Sequence, residues 1–186
     1  SRALPISIIT MKDLSFIMPR TSFAQAWSAI GGLEMRVGRR VVKRESLERR
    51  LTNVSRAIDY ARSRIANVGA EIEEKQDSEG DTVAFCVDWR QAEDSGTARE
   101  EAERVAAYFE SLGLELIRYE TQPFYDVYPV PPDKGLALRE MLNELTVRRG
   151  VLYLGDSTMD NPAFRASDVS VGVINDETPV HSLECD

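Results

Sequence analysis

The chain is poor in the residues that usually carry metal or redox chemistry. It has two cysteines and a single histidine in 186 residues. Cys86 and Cys185 are far apart and lack metal-ligand spacing. Cys86 falls inside the apolar run Val83-Ala84-Phe85-Cys86-Val87 and reads as a reduced core residue. That suits a reducing, cytoplasmic setting. His181 reads as a solvated tail position. An excess of basic charge is also missing: the net charge is −8, which argues against nucleic acid as a partner. No apolar run is long enough to span a membrane. No leader pattern stands at the start, where Ser1-Arg2-Ala3-Leu4-Pro5 runs straight into a strand pattern. Internal repeats and low-complexity segments are absent too. What remains has the apolar and charged fractions of an ordinary soluble protein, with enough chain for one large domain or two small ones.

The most informative stretch is Leu154-Gly155-Asp156-Ser157-Thr158-Met159-Asp160. The apolar run Val151-Leu152-Tyr153-Leu154 reads as a buried strand, and Gly155 lets the backbone turn. Asp156 and Asp160 then sit just beyond the strand's carboxyl end, where open α/β sheets bind ligands. Two carboxylates there suit a hard divalent cation, Mg²⁺ above all, which takes oxygen ligands and keeps waters for a phosphate. The competing reading has one aspartate capping the next short helix and the other solvated.

Along the chain, Ile6-Ser7-Ile8-Ile9 reads as a buried parallel strand ending at Thr10. The Thr10 hydroxyl can donate to a phosphoryl oxygen or cap a helix beginning near Asp13-Leu14. Residues 23–30 suggest a second short helix, and Leu33–Val37 with Arg39–Val42 a hairpin around Gly38. Leu47, Leu51, Val54, Ile58, Ala61, Ile65, Val68 and Ile72 form a heptad stripe on a long helix. The stripe fits a helix lying on a sheet, or a coiled-coil seam that would make a homodimer. Strands are expected at 82–89, 114–119 and 124–130, and a helix at 98–112 with Thr97 as its cap and Gly113 as its stop. Asp133 can cap a following helix whose apolar face is Leu138, Met141, Leu142 and Leu145. Lys134 then stands in the first turn, where a cation opposes the helix dipole but serves a bound anion.

Strand-end Thr10, an inserted module, Lys134 at a helix start, then Asp156 and Asp160: this order resembles the haloacid dehalogenase superfamily of phosphatases. Thr10 resembles its second motif, Lys134 its third, and Gly155–Asp160 its fourth. Gly32-Leu33-Glu34 and Asp126-Val127-Tyr128-Pro129 resemble the entry to and return from the cap in the branch that holds the Cof and trehalose-phosphate phosphatases. The resemblance implies an α/β fold with a Rossmann-like parallel-sheet core at 1–34 and 131–186. A C2-type α+β cap at 35–130 would be inserted in it.

The family's first motif, Asp-x-Asp-Gly-Thr, supplies the nucleophile and the general acid/base, and nothing in these residues matches it. The core is therefore expected to be incomplete at its N-terminus, its first strand being the family's second. Met159 stands where relatives usually carry Asn or Thr. The resemblance implies a Mg²⁺-dependent phosphatase acting on a small phosphomonoester such as a sugar phosphate through an aspartyl-phosphate. Thr10 and Lys134 would hold the phosphoryl group, Asp156 and Asp160 the metal, and Asp126 the substrate's hydroxyls. The alternative is a non-catalytic phosphosugar-binding or dimerising protein of the same fold. A response-regulator receiver also uses Asp, Thr and Lys, but in another order and without a large insertion before the Lys.

Overall fold

A computed structural model describes residues 4–44, 47, 50–119, 122–147, 150–174 and 182–186. His181 lies outside the described residues. The elements run β1 (Ser7–Ile9), α1 (Leu14–Ile17), β2 (Ala26–Ala29), β3 (Glu34–Val37), β4 (Arg40–Lys43), α2 (Leu51–Ala66), β5 (Glu71–Gln76), β6 (Thr82–Asp88), α3 (Ser95–Ser111), β7 (Glu115–Arg118), β8 (Phe124–Tyr128), α4 (Lys134–Glu144), β9 (Leu152–Gly155), α5 (Asn161–Phe164) and β10 (Val169–Gly172). They form two compact units, one from 1–44 and 132–186 and the other from 45–131.

In the first unit β1 pairs in parallel with β2, and the β3–β4 hairpin extends that sheet antiparallel. β9 pairs in parallel with β10 in a separate two-stranded sheet. Helix α4 serves both pieces. Its Met141 packs with Ala26 and Met35, its Leu138 with Tyr153 and Phe164, and Ile9 of β1 touches both groups. The opposite face of β9 and β10 is bare: Leu152, Leu154, Val169 and Val171 are 57%, 59%, 50% and 40% exposed.

The second unit is an antiparallel sheet in the order β5-β6-β8-β7 with α2 and α3 packed on one face. Strand alternation sends Phe85, Val87, Tyr125 and Val127 into that helix-covered face. Phe109 of α3 meets Phe85 edge-on at 5.3 Å, and the Tyr125 hydroxyl donates to the Ala102 carbonyl at 2.7 Å.

Three local expectations need correction. The unit boundary falls after Arg44 rather than Glu34, because the β3–β4 hairpin pairs with β2 and so belongs to the first unit. Residues 26–29 form strand β2 rather than part of a helix; the parallel partner β1 overrides the weak helical pattern. The heptad stripe is not one helix: α2 ends at Ala66 and Ile72 lies in β5. Val54, Ala57, Ile58, Ala61 and Ile65 are buried against the unit's own sheet, so the stripe is spent internally.

Candidate active site

Thr10, Lys134, Asp156 and Asp160 all lie in the first unit, and backbone hydrogen bonds link Thr10 to the residue that precedes Lys134. Thr10 ends β1; its N–H donates to the Ser28 carbonyl at 2.9 Å, and its carbonyl accepts from Gly31 N–H at 2.9 Å. The Gly31 carbonyl in turn accepts from Asp133 N–H at 2.9 Å. The loop thus ties the end of β1 to the start of α4. Ile30 in that loop has φ of 52°, a costly value for a β-branched residue, and its side chain is fully buried. The Thr10 hydroxyl accepts from Lys12 N–H at 3.2 Å and caps no helix; Asp13 caps α1 instead.

Asp133 caps α4 by accepting from Leu136 N–H at 2.8 Å, which places Lys134 in the first turn. Lys134 is buried, and its Nζ lies 2.7 Å from Asp160 Oδ1. The ion pair explains how an ammonium survives against the helix dipole. Gly135 is required here: a Cβ would stand 2.3 Å from the Pro162 carbonyl oxygen, so any side chain would push α4 off the motif that carries Asp160.

Asp160 is the most heavily bonded carboxylate of the site. Oδ1 accepts from Lys134 Nζ and from the Tyr153 hydroxyl, both at 2.7 Å. Oδ2 accepts from Ser157 Oγ at 2.9 Å, Ser157 N–H at 3.2 Å and Asp156 N–H at 3.3 Å. Ser157 and Asp160 form a capping box on the short 3₁₀ turn 158–160. Burial raises the Asp160 pKa, but the Lys134 charge and the donors Lys134, Tyr153 and Ser157 outweigh it and hold the carboxyl below its usual range. Gly155 makes the crossing possible, since a Cβ would lie 2.5 Å from Asp160 Cβ and Cγ. Asp156, by contrast, is exposed just past the end of β9.

Asp126 lies in the second unit, on the sheet face turned away from α2 and α3. It is mid-strand and buried. Its Oδ1 is 2.5 Å from Lys75 Nζ, and its Oδ2 accepts from the Tyr119 hydroxyl at 2.9 Å and the Tyr128 hydroxyl at 3.4 Å. Lys75 also donates to the Tyr128 hydroxyl at 3.1 Å. Burial first, then the Asp126 charge, pushes the Tyr119 phenol up and keeps it a donor.

The residues that reasoning from sequence missed are Tyr153, Ser157 and Lys75. The Ser157-x-x-Asp160 spacing of a capping box was a usable signal for the second. Tyr153 read only as part of an apolar run. Lys75 carried no signal, being an isolated lysine in an acidic stretch.

The carboxylates fit a divalent cation in chemistry, Asp156 being exposed beside a second aspartate, and Mg²⁺ asks few protein ligands because it keeps its waters. Asp160 is buried and Asp156 exposed.

No family model matches the chain, and no curated protein matches it. Solved structures do. A trehalose-6-phosphate phosphatase related protein shares 20% identity with a TM-score of 0.68, over 93% of this chain and 71% of its own. The Aspergillus fumigatus trehalose-6-phosphate phosphatase matches at 20% identity and TM-score 0.57, over 93% and 70%. A phosphatase of the haloalkanoate enzyme superfamily from Bacteroides thetaiotaomicron matches at 14% and 0.64, over 98% and 74%. At such identities the likeness is one of fold: the chain has the fold of haloacid dehalogenase superfamily phosphatases.

Proposed function

We propose that the first unit is the phosphate- and metal-binding half of a phosphomonoester hydrolase, with Mg²⁺ as its cation and a sugar phosphate as its substrate. What supports the reading is the buried Lys134–Asp160 pair next to Asp156, with Thr10 tied by backbone hydrogen bonds to the start of α4, on a fold shared with phosphatases. The Thr10 hydroxyl and the Lys134 ammonium each donate to a phosphoryl oxygen. Asp156 holds the metal, which when bound neutralises phosphoryl charge. Asp160 holds Lys134 in reach and contributes at most an outer contact to the metal's waters.

Phosphoryl transfer is largely positioning and electrostatics, which is what these groups supply. The attacking carboxylate forms a bond to phosphorus as the ester P–O bond breaks, and a second carboxylic acid protonates the leaving alcohol. The acid's conjugate base then deprotonates a water that attacks phosphorus, releasing phosphate and restoring the first carboxylate. Neither carboxyl is assigned to a residue of this chain, which carries no Asp-x-Asp-Gly-Thr motif. The second unit is the proposed cap. Asp126 accepts a substrate hydroxyl there by exchanging it for one of the two tyrosine donors.

The test is phosphate release from a panel of sugar phosphates with Mg²⁺, in a protein carrying that motif ahead of Ser1, against its Asp156→Asn variant. Mg²⁺-dependent release lost in the variant supports the reading. Binding of sugar phosphate without release in the motif-bearing protein identifies the non-catalytic alternative, and neither binding nor release rejects both.

A further inference from the structure

Both donors to Asp160 Oδ1 stand at 2.7 Å, yet they are not equivalent. The Tyr153 ring is buried and packs edge-on against Phe164 at 5.6 Å, within a cluster that includes Leu138 and Ala163. Its hydroxyl is therefore a fixed point. The Lys134 ammonium sits on a flexible stem of four methylenes. The direction of the carboxylate does not depend on either donor, because Ser157 and the Asp156 N–H hold Oδ2. A second donor on Oδ1 is thus surplus to orientation, and it changes what happens when the lysine leaves.

We propose that Tyr153 is a positioning residue that frees Lys134: it keeps Asp160 Oδ1 hydrogen-bonded while the ammonium swings to an anion. The inference rests on the reading of Lys134 as a phosphate ligand. A buried carboxylate oxygen stripped of its donor is costly. With Tyr153 in place the oxygen keeps one donor throughout, so release of the lysine is cheaper. Without it, the whole demand of Oδ1 falls on Lys134, which is held more tightly.

The experiment follows the exchange of the Lys134 ammonium hydrogens with water by ¹⁵N NMR at fixed pH, since exchange requires departure from Asp160. Tyr153→Phe keeps the packed ring and removes the hydroxyl. Exchange should slow roughly fivefold, the factor for one ordinary hydrogen bond. Biosynthetic 3-fluorotyrosine, a nearly isosteric and stronger donor, should speed it, and it carries the test if Tyr153→Phe does not fold: unchanged or slower exchange with the fluorinated ring then overturns the proposal. Unchanged or faster exchange in a folded Tyr153→Phe overturns it too. So does exchange too fast to follow in both proteins, which would mean that Lys134 is not held at all.

Adding inorganic phosphate and Mg²⁺ separates the two claims. If exchange slows in Tyr153→Phe but phosphate leaves the Lys134 signal of the wild type unmoved, Tyr153 governs the lysine and the phosphate reading fails. If phosphate moves that signal equally in both proteins and exchange is unchanged, the phosphate reading survives and Tyr153 has no such role.

Discussion

Among the described residues each unit holds a buried lysine–aspartate pair, and the two pairs are built differently. Lys75–Asp126 lies on a continuous antiparallel sheet whose other face carries a full aromatic core. Behind Asp126 stand two tyrosine hydroxyls, one of them at a weak 3.4 Å, and Lys75 has a second acceptor in Tyr128. Lys134–Asp160 joins the start of α4 to the turn after β9, in a unit whose strands form two separate sheets, and Asp160 keeps four donors besides the lysine. The first aspartate depends on its lysine; the second does not. The contrast separates a pair whose aspartate needs its lysine from one whose lysine can be lent out.

The comparison is broken most severely by Lys75→Ala. Asp126 is left as a poorly compensated buried charge, and the loss should be about 3–5 kcal/mol in chemical denaturation. Lys134→Ala removes the same group from a better-backed partner and should cost less, about 1–3 kcal/mol. An equal or reversed order would erase the distinction. In a protein with turnover, Lys134→Ala should also lower kcat by on the order of 10²–10³, with little rescue by Arg, whose planar fork does not replace a compact ammonium.

Asp156→Asn sharpens the contrast from the other side. The side chain is exposed, so stability should change by no more than ~0.5 kcal/mol while the response to Mg²⁺ disappears. The smallest effect concerns Cys86. Burial, then the nearby Asp126, push its thiol up to about 12 despite Lys75. Iodoacetamide at pH 8 should therefore leave Cys86 unmodified in the native protein and label it only on unfolding.

Much of this site could be read from the residues because its parts are local. Gly155–Asp160 is one turn, and Asp133-Lys134 is a cap and the residue after it, so spacing carried the information. The Lys134–Asp160 pair could not be read, since it depends on how closely Gly135 of α4 approaches Pro162, beyond the Gly155–Asp160 turn. Asp126 could be singled out, but not its burial, because its partner Lys75 lies across the sheet with no periodic signal. The fold followed the same rule. Helices α3 and α4 were visible in their apolar faces, and α4 also in its cap Asp133; the cap of α3 is Asp94 rather than Thr97, which lies inside the helix with its N–H bonded to Asp94. Strand β2 was hidden because its residues are buried on both faces and alternate in nothing. The stripe across α2 and β5 misled because a turn at 67–70 happens to preserve the spacing.

The bare face of β9 and β10 marks the other asymmetry. The second unit spends its apolar residues on its own core, whereas Leu152, Leu154, Val169 and Val171 of the first unit lie open to water. Parallel strands are usually covered on both faces, and only the α4 side is covered among the described residues.

The most direct test of the difference between the two pairs places both lysines in one experiment. With ¹⁵N-labelled lysine the chain reports from Lys12, Lys43, Lys75 and Lys134. Inorganic phosphate is titrated in the presence of Mg²⁺ while the ammonium signals are followed. The account predicts a saturable shift at Lys134 that is lost in Asp156→Asn, with Lys75 unmoved in both proteins. A Lys134 signal that stays fixed, or one that moves together with Lys75, would contradict it.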